Sequence, residues 1–283
     1  MLNLQHRNKY IRMEDDKCIR FLQWLLPQLH MRWQGFRKVR KQVCKRIQRR
    51  IRELELTDVD AYRQYLLTHA DEWRILDHSC RVTVSRFYRD RVVLEHVRSE
   101  VLPGLAGTAM AAGDTMLRGW SAGCAMGEEA YSLILIWDKT HSSDYPQLDI
   151  EIVGSDTDEL LLHRATRACY SYGSIKALPG SWLKSAFTQQ NTEYCLEPRL
   201  RNKASFTRQD IRDRRIKGPF HIVFCRNMAF TYFDNALQIV MLDYIRDTLV
   251  DGGALVIGGH ESLPEGFSGF EQWSKQRAIF RKQ

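Results

Sequence analysis

Short apolar runs alternate with longer segments of helical periodicity from residue 116 to the end of the chain. The apolar runs lie in LRGWSAG, IEIVGSD, FHIVFCRN, GGALVIGG and RAIFRK, and the helical patterns between them are EEAYSLILIWDK, ELLLHRATRACY and ALQIVMLDYIRDTL. Such alternation is typical of parallel strands covered by helices. It predicts an α/β fold with a Rossmann-like, doubly wound sheet over residues 101–283, and the polar stretch 171–206 is a possible small β excursion.

The N-terminal third is helical in pattern and strongly basic. Residues 1–100 hold 22 Lys and Arg against 13 Asp and Glu, whereas the rest of the chain holds 20 against 21. Within it, the segment 36–54 predicts one amphipathic helix, with apolar residues at three- and four-residue spacing and cations largely opposite: Arg37, Lys38, Lys41, Lys45, Arg49 and Arg52. A solvated helix face and a docking surface for an acidic partner both fit this stripe.

We predict a small basic helical domain and linker over residues 1–100. A helix from about Arg91 to Leu102 closes this region at Pro103 and Gly104. No run of eighteen apolar residues occurs, and the first residues, MLNLQHRNKYIRMEDDK, lack the pattern of a signal or transit peptide, so we expect a cytoplasmic protein. Seven cysteines without metal-ligand or paired spacing predict reduced, buried thiols and no metal site.

The most informative motif is a glycine-rich turn between the first predicted strand and its helix. Gly123 and Gly127 permit tight turns and close approach to a ligand, so we expect Gly123 to border a cofactor. Glu128 and Glu129 open the helix, where acids would repel a phosphate. They favour a cationic ligand such as S-adenosylmethionine, which carries an ammonium and a sulfonium group, although glutamates at this position also serve as helix caps.

Polar residues also follow the next two predicted strands. Asp156 ends the second strand, where a carboxylate commonly binds ribose hydroxyls, although it fits the role of a helix cap equally well. Arg226 and Asn227 follow the third, where they face the ligand crevice of a parallel sheet. Tyr232 and Phe233 come next, and aromatic rings pack well on an adenine or a methyl-sulfonium.

These blocks together resemble the chemotaxis-receptor (CheR-type) protein-glutamate methyltransferases. The similar elements are W-S-A-G-C-x-x-G-E-E-x-Y-S, S-D-x-D, P-F-x-x-x-F-C-R-N, Y-F-D and a Gly-Gly turn followed by a G-H-E element. The basic helix, the L-T-D-x-x-x-Y turn and the string from Ser85 to Asp90 resemble that family's small helical domain and linker. The resemblance covers roughly residues 35–283 and implies a methyltransferase that converts S-adenosylmethionine to S-adenosylhomocysteine.

The resemblance also implies roles for individual residues. Arg89 and Tyr232 match the family's active-site arginine and tyrosine, Glu129 the ligand of the methionine amino group, and Asp156 the ribose ligand. The other positions that match the family's cofactor site, which Arg89 also lines, are Thr83, Ser85, Asp210, Ile211, Arg226 and Asn227. The resemblance implies that Asp210 and Ile211 flank the adenine and that Arg226 and Asn227 lie beside the methionine moiety.

The chain departs from the family pattern at several points. Thr83 replaces an Asn, Ser85 a Thr, and Asp210-Ile211 an Asn-Leu pair. One extra residue separates Asn227 from Tyr232, and Gly-Gly-His-Glu-Ser at 258–262 replaces G-H-S-E. The segment 171–206, which in some members grips a receptor's tail, is slightly short.

We therefore expect methyl transfer to glutamate carboxylates of an acidic protein partner, such as a chemoreceptor-like helix, docked on the basic helix 37–52. One alternative is a nucleic-acid (RNA) methyltransferase, but the chain has no N/D-P-P-Y/F motif and no aromatic platform within the basic stripe. A second alternative is a cofactor-binding module without catalysis, suggested by the insertion before Tyr232 and the altered glycine-histidine element.

Overall fold

The chain divides into two units between Val82 and Thr83 in a computed structural model that describes residues 14–273 and 278–283. The sequence placed this division near residue 100. The segment that follows Val82 bonds to the second unit instead, because the Phe87 N–H donates to the Ser174 carbonyl (3.1 Å) and the Tyr88 N–H to the Ser132 hydroxyl (3.1 Å). Residues 1–13, which carried the expectation about a targeting peptide, lie outside the described part.

The first unit consists of helices that bury one apolar face each. Its helices are α1 (Asp15–Gln28), α2 (Trp33–Phe36), α3 (Arg40–Glu53), α4 (Val59–Thr68) and α5 (Glu72–Cys80). The predicted single helix over 36–54 is therefore interrupted after Phe36. Its apolar residues Val43, Ile47 and Ile51 are buried as predicted. The cations of the stripe, Arg37, Lys38, Lys41, Lys45, Arg49 and Arg52, are all exposed.

A mostly parallel seven-stranded sheet forms the centre of the second unit and confirms the predicted fold class. Its strand order is β6-β2-β1-β7-β8-β10-β9, parallel from β6 to β8 and antiparallel at β10 and β9. The strands are β1 (Met116–Ala122), β2 (Asp149–Asp156), β6 (Ala204–Arg208), β7 (Phe220–Phe224), β8 (Leu249–Val256), β9 (Phe270–Gln272) and β10 (Ile279–Lys282). Every residue of β7 is buried, as expected for a strand covered on both faces.

Helices flank this sheet in the second unit. They are α6 (Arg91–His96), α7 (Leu102–Ala111), α8 (Glu128–Thr140), α9 (Glu159–Arg167), α10 (Tyr172–Ile175), α11 (Gly180–Ala186), α12 (Pro198–Arg201), α13 (Ala229–Tyr232) and α14 (Asn235–Thr248), with a 3₁₀ turn at Ile211–Asp213. The prediction that a helix ends at Pro103 was wrong. A π-helical turn, Val97–Val101, leads directly into α7, and Pro103 lies in the first turn of α7, so the chain is helical on both sides of this proline.

A separate three-stranded antiparallel sheet interrupts the α/β alternation. It has the order β3-β5-β4, with β3 (Cys169–Ser171), β4 (Phe187–Gln190) and β5 (Glu193–Leu196). Cys169 and Cys195 are register partners in this sheet and form a disulfide.

The expectation of seven reduced thiols was therefore wrong. A second disulfide joins Cys18 to Cys44 in the first unit, whereas Cys80, Cys124 and Cys225 are buried thiols. Each pair is separated by 26 residues, so no local spacing pattern marks it. Among the helices of the described residues, none has the length and apolar character needed to cross a membrane.

Candidate cofactor and active site

The candidate site lies where β1, β2 and β7 end side by side in the sheet. Strand β1 pairs in parallel with β2 on one side and β7 on the other, so the loops after all three strands leave the same edge. Ligands of open α/β sheets bind at this edge, where neighbouring strands lead to helices on opposite faces. The topology therefore brings together the three motifs that the sequence singled out.

The glycine-rich loop after β1 is held by β2. The N–H groups of Gly123 and Cys124 both donate to the Ser155 carbonyl, at 2.8 and 3.0 Å. Gly123 and Gly127 adopt φ values of +74° and +84°, which favour glycine. A Cβ at Gly123 would lie 2.9 Å from the sulfur of Met228, and one at Gly127 2.9 Å from the Phe206 ring. Close packing within the protein thus accounts for these two glycines.

Asp156 ends β2 and organises the same loop. Its Oδ2 accepts the Ala125 N–H at 2.9 Å, and its Oδ1 accepts the Asp158 N–H at 3.1 Å. Asp158, rather than Asp156, caps the following helix α9 through its own carboxylate. A carboxylate has about four acceptor positions, so two backbone donors leave Asp156 the capacity to accept two hydroxyl groups. This remaining acceptor capacity fits the two hydroxyl groups of a ribose.

A buried guanidinium joins two carboxylates at the centre of the site. The Arg226 side chain is 2% exposed and donates to Glu129 (3.1 Å), Asp90 (2.9 Å) and the Arg89 carbonyl (2.7 Å). The Asn227 side-chain amide also donates to Asp90, at 3.4 Å. Glu129 in turn accepts the Ser121 hydroxyl at 2.7 Å. The structure therefore unites three predicted site residues, Glu129, Arg226 and Asn227.

Asp90 is the residue of this cluster that sequence reasoning missed. It stands in the string from Ser85 to Asp90, but no local pattern shows that its carboxylate reaches a residue 136 positions away. Tyr88, Asp90 and Asn227 all adopt left-handed backbone, with φ near +54° or +55°. Such strained positions cluster at functional sites, and their concentration around Arg226 was the signal available only from the structure.

The electrostatics of this cluster fit a cationic ligand. For Asp90, burial favours the neutral form, but the charge and hydrogen bond of Arg226, the Asn227 amide and the charge of Arg89 together outweigh it and hold the pKa below its ordinary value. For Glu129, burial dominates over Arg226, and the pKa lies above its ordinary value. One guanidinium thus offsets two carboxylates incompletely, and an ammonium group beside Glu129 would supply the missing positive charge. S-adenosylmethionine carries such a group.

Glu128, the other acid at the start of α8, is fully buried. It accepts the Ser174 hydroxyl at 3.0 Å, and the Ser85 side chain also hydrogen-bonds this carboxyl. Burial raises the pKa of Glu128 above its ordinary value. Ser85 and Ser174 thus bind the same carboxyl group. Through Glu128, the segment that follows Thr83 is connected to α10, which contains Ser174.

We expect Glu128→Gln to stabilise the protein at neutral pH. A carboxyl whose pKa is raised by folding stabilises the native state below its unfolded pKa, and this contribution is lost as pH rises through the folded pKa. The free energy of unfolding of the wild type should therefore fall relative to Glu128→Gln as pH rises. Urea unfolding of both proteins across acid to neutral pH measures this, with the exposed Glu265→Gln as control. A pH-independent difference would contradict the assignment.

Arg89 and Tyr232 lie close to the same cluster. The Arg89 guanidinium donates to the Val84 carbonyl at 2.5 Å, and its charge acts on Glu129, Asp90 and Tyr232. Burial raises the pKa of the Tyr232 phenol, so this residue carries its proton at neutral pH. The site thus has a positive side chain and a neutral aromatic hydroxyl beside an acidic pocket.

Three further residues predicted to bind the cofactor, Asp210, Ile211 and Thr83, lie outside the cluster around Arg226. The Gln209 N–H donates to the Asp156 carbonyl at 2.8 Å, which places Asp210 and Ile211 next to the end of β2. Ile211 is buried, whereas the Asp210 carboxylate binds Arg212 through its backbone N–H (2.9 Å) and its guanidinium (2.7 Å). Thr83 is exposed at the start of the second unit. Contact of these residues with the cofactor stays a prediction.

Comparison with known proteins identifies the family. Residues 83–279 match the model of the family described as CheR methyltransferase, SAM binding domain, and this match begins where the second unit begins. Chemotaxis protein methyltransferase 2 of Vibrio cholerae is 29% identical over 224 residues, which cover 76% of each protein.

Two further relatives cover similar shares of the chain. Chemotaxis protein methyltransferase 1 of Pseudomonas aeruginosa is 30% identical over 182 residues, covering 62% of this chain and 65% of that protein. A probable chemotaxis protein methyltransferase of Rhizobium etli is 27% identical over 231 residues, covering 78% and 84%. The chain belongs to the CheR methyltransferase family and is an S-adenosylmethionine-dependent methyltransferase.

Proposed function

We propose that the protein transfers a methyl group from S-adenosylmethionine to glutamate side chains of an acidic, helical protein partner, as a chemoreceptor-like helix would offer. The observation that carries this proposal is the position of Arg89. Its charge lies beside the acidic cluster of Glu129 and Asp90 and beside Tyr232. A cation at the margin of an otherwise acidic cofactor site favours an anionic methyl acceptor.

Different residues of the site would bind different parts of the cofactor. Glu129 would bind the ammonium group, and Asp156 would accept the ribose hydroxyls. Asp210 and Ile211 would border the adenine, and the positions that complete the site are Thr83, Ser85, Gly123, Arg226 and Asn227. Bound S-adenosylmethionine supplies a methyl group activated by a positively charged sulfur.

The protein's own part in the reaction is alignment. A glutamate carboxylate, with an ordinary pKa of about 4.3, is already ionised at neutral pH, so no general base is required. Arg89 orients the acceptor carboxylate by charge, and the Tyr232 ring limits the space beside it. Holding nucleophile and methyl group in line contributes much of the barrier reduction in such a transfer. Burial of Arg226 with Glu129 and Asp90 keeps the pocket rigid.

The basic face of α3 would bind the partner. It is defined by Lys41, Lys45, Arg49 and Arg52, all exposed and all on the side away from the buried Val43 and Ile47. An acidic helix laid along this face would gain charge complementarity, which mainly accelerates association. We propose that this face selects the partner and that the second unit performs the transfer.

Charge reversal of this face tests the docking role. Lys41→Glu with Lys45→Glu should lower kcat/KM for an acidic protein acceptor by about tenfold at low salt, because electrostatic steering sets the association rate. The loss should shrink as salt is added, since screening weakens the wild type as well. The matched control is Lys184→Glu with Lys217→Glu, two exposed lysines of the second unit. Equal effects of both pairs would contradict a specific docking face.

The acceptor itself is tested by labelled methyl transfer. The full chain is incubated with methyl-labelled S-adenosylmethionine and either an acidic helical protein fraction or total RNA, with Asp156→Ala as the inactive control. A carboxyl methyl ester releases its label in mild base, so the proposal predicts base-labile counts in protein. Label recovered in RNA, or base-stable label in protein, would contradict it.

A further inference from the structure

A single carboxylate, that of Glu261, joins the loop after β8 to the loop after β7. Its Oε2 accepts the N–H of Asn227 at 2.8 Å and the N–H of Gly258 at 2.6 Å. Its Oε1 accepts the Thr231 hydroxyl at 2.5 Å. Asn227 and Thr231 enclose the segment that leads into Tyr232, so one side chain restrains this segment at both ends.

Gly258 packs closely against this carboxylate. A Cβ at Gly258 would lie 2.8 Å from the Glu261 Oε2 and 3.0 Å from the Asn227 side-chain oxygen. Asn227 has a left-handed backbone, with φ of +54°, a conformation that is uncommon outside glycine, although asparagine adopts it more readily than most residues. The bond from its N–H to Glu261 helps to hold that conformation. Glu261 therefore supports the backbone from which the Asn227 amide reaches Asp90.

Two departures of the chain from the family pattern meet at this carboxylate. The segment between Asn227 and Tyr232 has one extra residue, and Glu261 stands in the altered string Gly-Gly-His-Glu-Ser. The hydrogen bond between Thr231 and Glu261 connects the lengthened segment to the altered string.

We infer that Glu261 is a positioning residue that holds Asn227 and Tyr232 in their places in the cofactor and acceptor site. The inference rests on the proposed roles of Asn227 and Tyr232. Glu261 acts through these residues, because both of its oxygens bind protein groups: Asn227, Gly258 and Thr231. The role does not require the charge of Glu261; it requires the three hydrogen bonds to Asn227, Gly258 and Thr231.

This distinction defines the test, with calorimetric binding of S-adenosylhomocysteine and S-adenosylmethionine to folded variants of the full chain as the measurement. A glutamine can accept the two N–H groups with its oxygen and donate its amide to Thr231, so Glu261→Gln should bind both ligands within about threefold of wild type. Glu261→Ala loses all three bonds and should bind both at least about tenfold more weakly. Glu265→Ala, an exposed glutamate of the same loop, is the matched control.

Thr231 variants keep the inference testable if Glu261→Ala does not fold. Thr231→Val removes one of the three bonds and should weaken both ligands by about threefold or more, while Thr231→Ser restores the hydroxyl and the affinity. When Glu261→Ala folds, adding Thr231→Val to it should cost nothing further, because both residues share one contact.

Three outcomes overturn the inference. The first is wild-type affinity in folded Glu261→Ala and Thr231→Val. The second is a Glu261→Gln variant that loses S-adenosylmethionine but keeps S-adenosylhomocysteine, since a selective loss of the cationic ligand means that the charge of Glu261 binds it directly. The third is a wild-type protein that binds neither ligand, which would overturn the proposed cofactor site and this inference with it.

Discussion

Replacing Arg226 with methionine is expected to lower the free energy of unfolding by about 3–5 kcal/mol at neutral pH. Methionine fills much of the same volume but leaves Glu129 and Asp90 without the guanidinium that now binds both. An unpaired buried carboxylate costs more than the lost attraction alone, because it keeps its desolvation penalty. Urea unfolding measures the effect.

The control for this variant is Arg208→Met, at a surface pair. Arg208 lies 3.4 Å from Glu159, and the two side chains are 68% and 78% exposed, so its removal should cost below about 1 kcal/mol. The destabilisation by Arg226→Met should also shrink as pH falls, since Glu129 and Asp90 then become neutral. A loss no larger than that of Arg208→Met would show that the cluster does not stabilise the fold.

Asp156→Ala is expected to weaken S-adenosylmethionine binding by about 3 kcal/mol, or roughly 100-fold. The variant loses a charged acceptor for two ribose hydroxyls and also releases the Ala125 N–H of the glycine-rich loop. Calorimetry gives the affinity directly, and a loss of less than about threefold would contradict the ribose role.

The neighbouring Asp158 supplies the control for this experiment. Its carboxylate caps α9 by accepting the N–H groups of Leu160 and Leu161. Asp158→Asn keeps a side-chain oxygen at the cap, so we expect wild-type affinity for the cofactor. A comparable loss in both variants would indicate a general disturbance of the loop rather than a lost ligand contact.

The strand ends and loops of the second unit were predictable because local chemistry marks them. Glycines delimit the turn before α8, and Asp156 and Arg226 follow apolar runs that form β2 and β7 in the structure. Parallel pairing then brings the three loops to one edge of the sheet. A residue that directly follows an apolar run can therefore be assigned from the sequence to the ligand-binding edge of the sheet.

The contacts that complete the site were not predictable in this way. Asp90 meets Arg226 across 136 positions, and Glu261 meets Asn227 across 34. Neither pairing has a sequence period, since both depend on how loops from different strands fold over the sheet edge. The two disulfides also join residues far apart in the sequence, 26 positions in each case, although they link helices of the first unit and strands of the small antiparallel sheet.

Proline was misread for a different reason. A proline usually ends a helix, because it lacks an N–H and its ring crowds the preceding turn. In the structure a π-helical turn precedes Pro103 and α7 continues beyond it, so the chain passes this proline through a local change of helix type. Whether a proline ends a helix can therefore be decided only when the ends of that helix are known.

Binding of S-adenosylmethionine to Glu129 tests the account most directly. The wild-type chain and Glu129→Gln are titrated with the cofactor at about pH 7 and about pH 5, both below the pKa of about 7.7–8.0 of an α-amino group, so that the cofactor keeps its ammonium. Because burial raises the pKa of Glu129 and the cofactor's ammonium favours the ionised carboxylate, wild-type affinity should be micromolar, about −8 kcal/mol, at the higher pH and should fall as pH decreases. Glu129→Gln should bind weakly at both. Absence of binding by the wild type, or equal affinity in both proteins, would contradict the account.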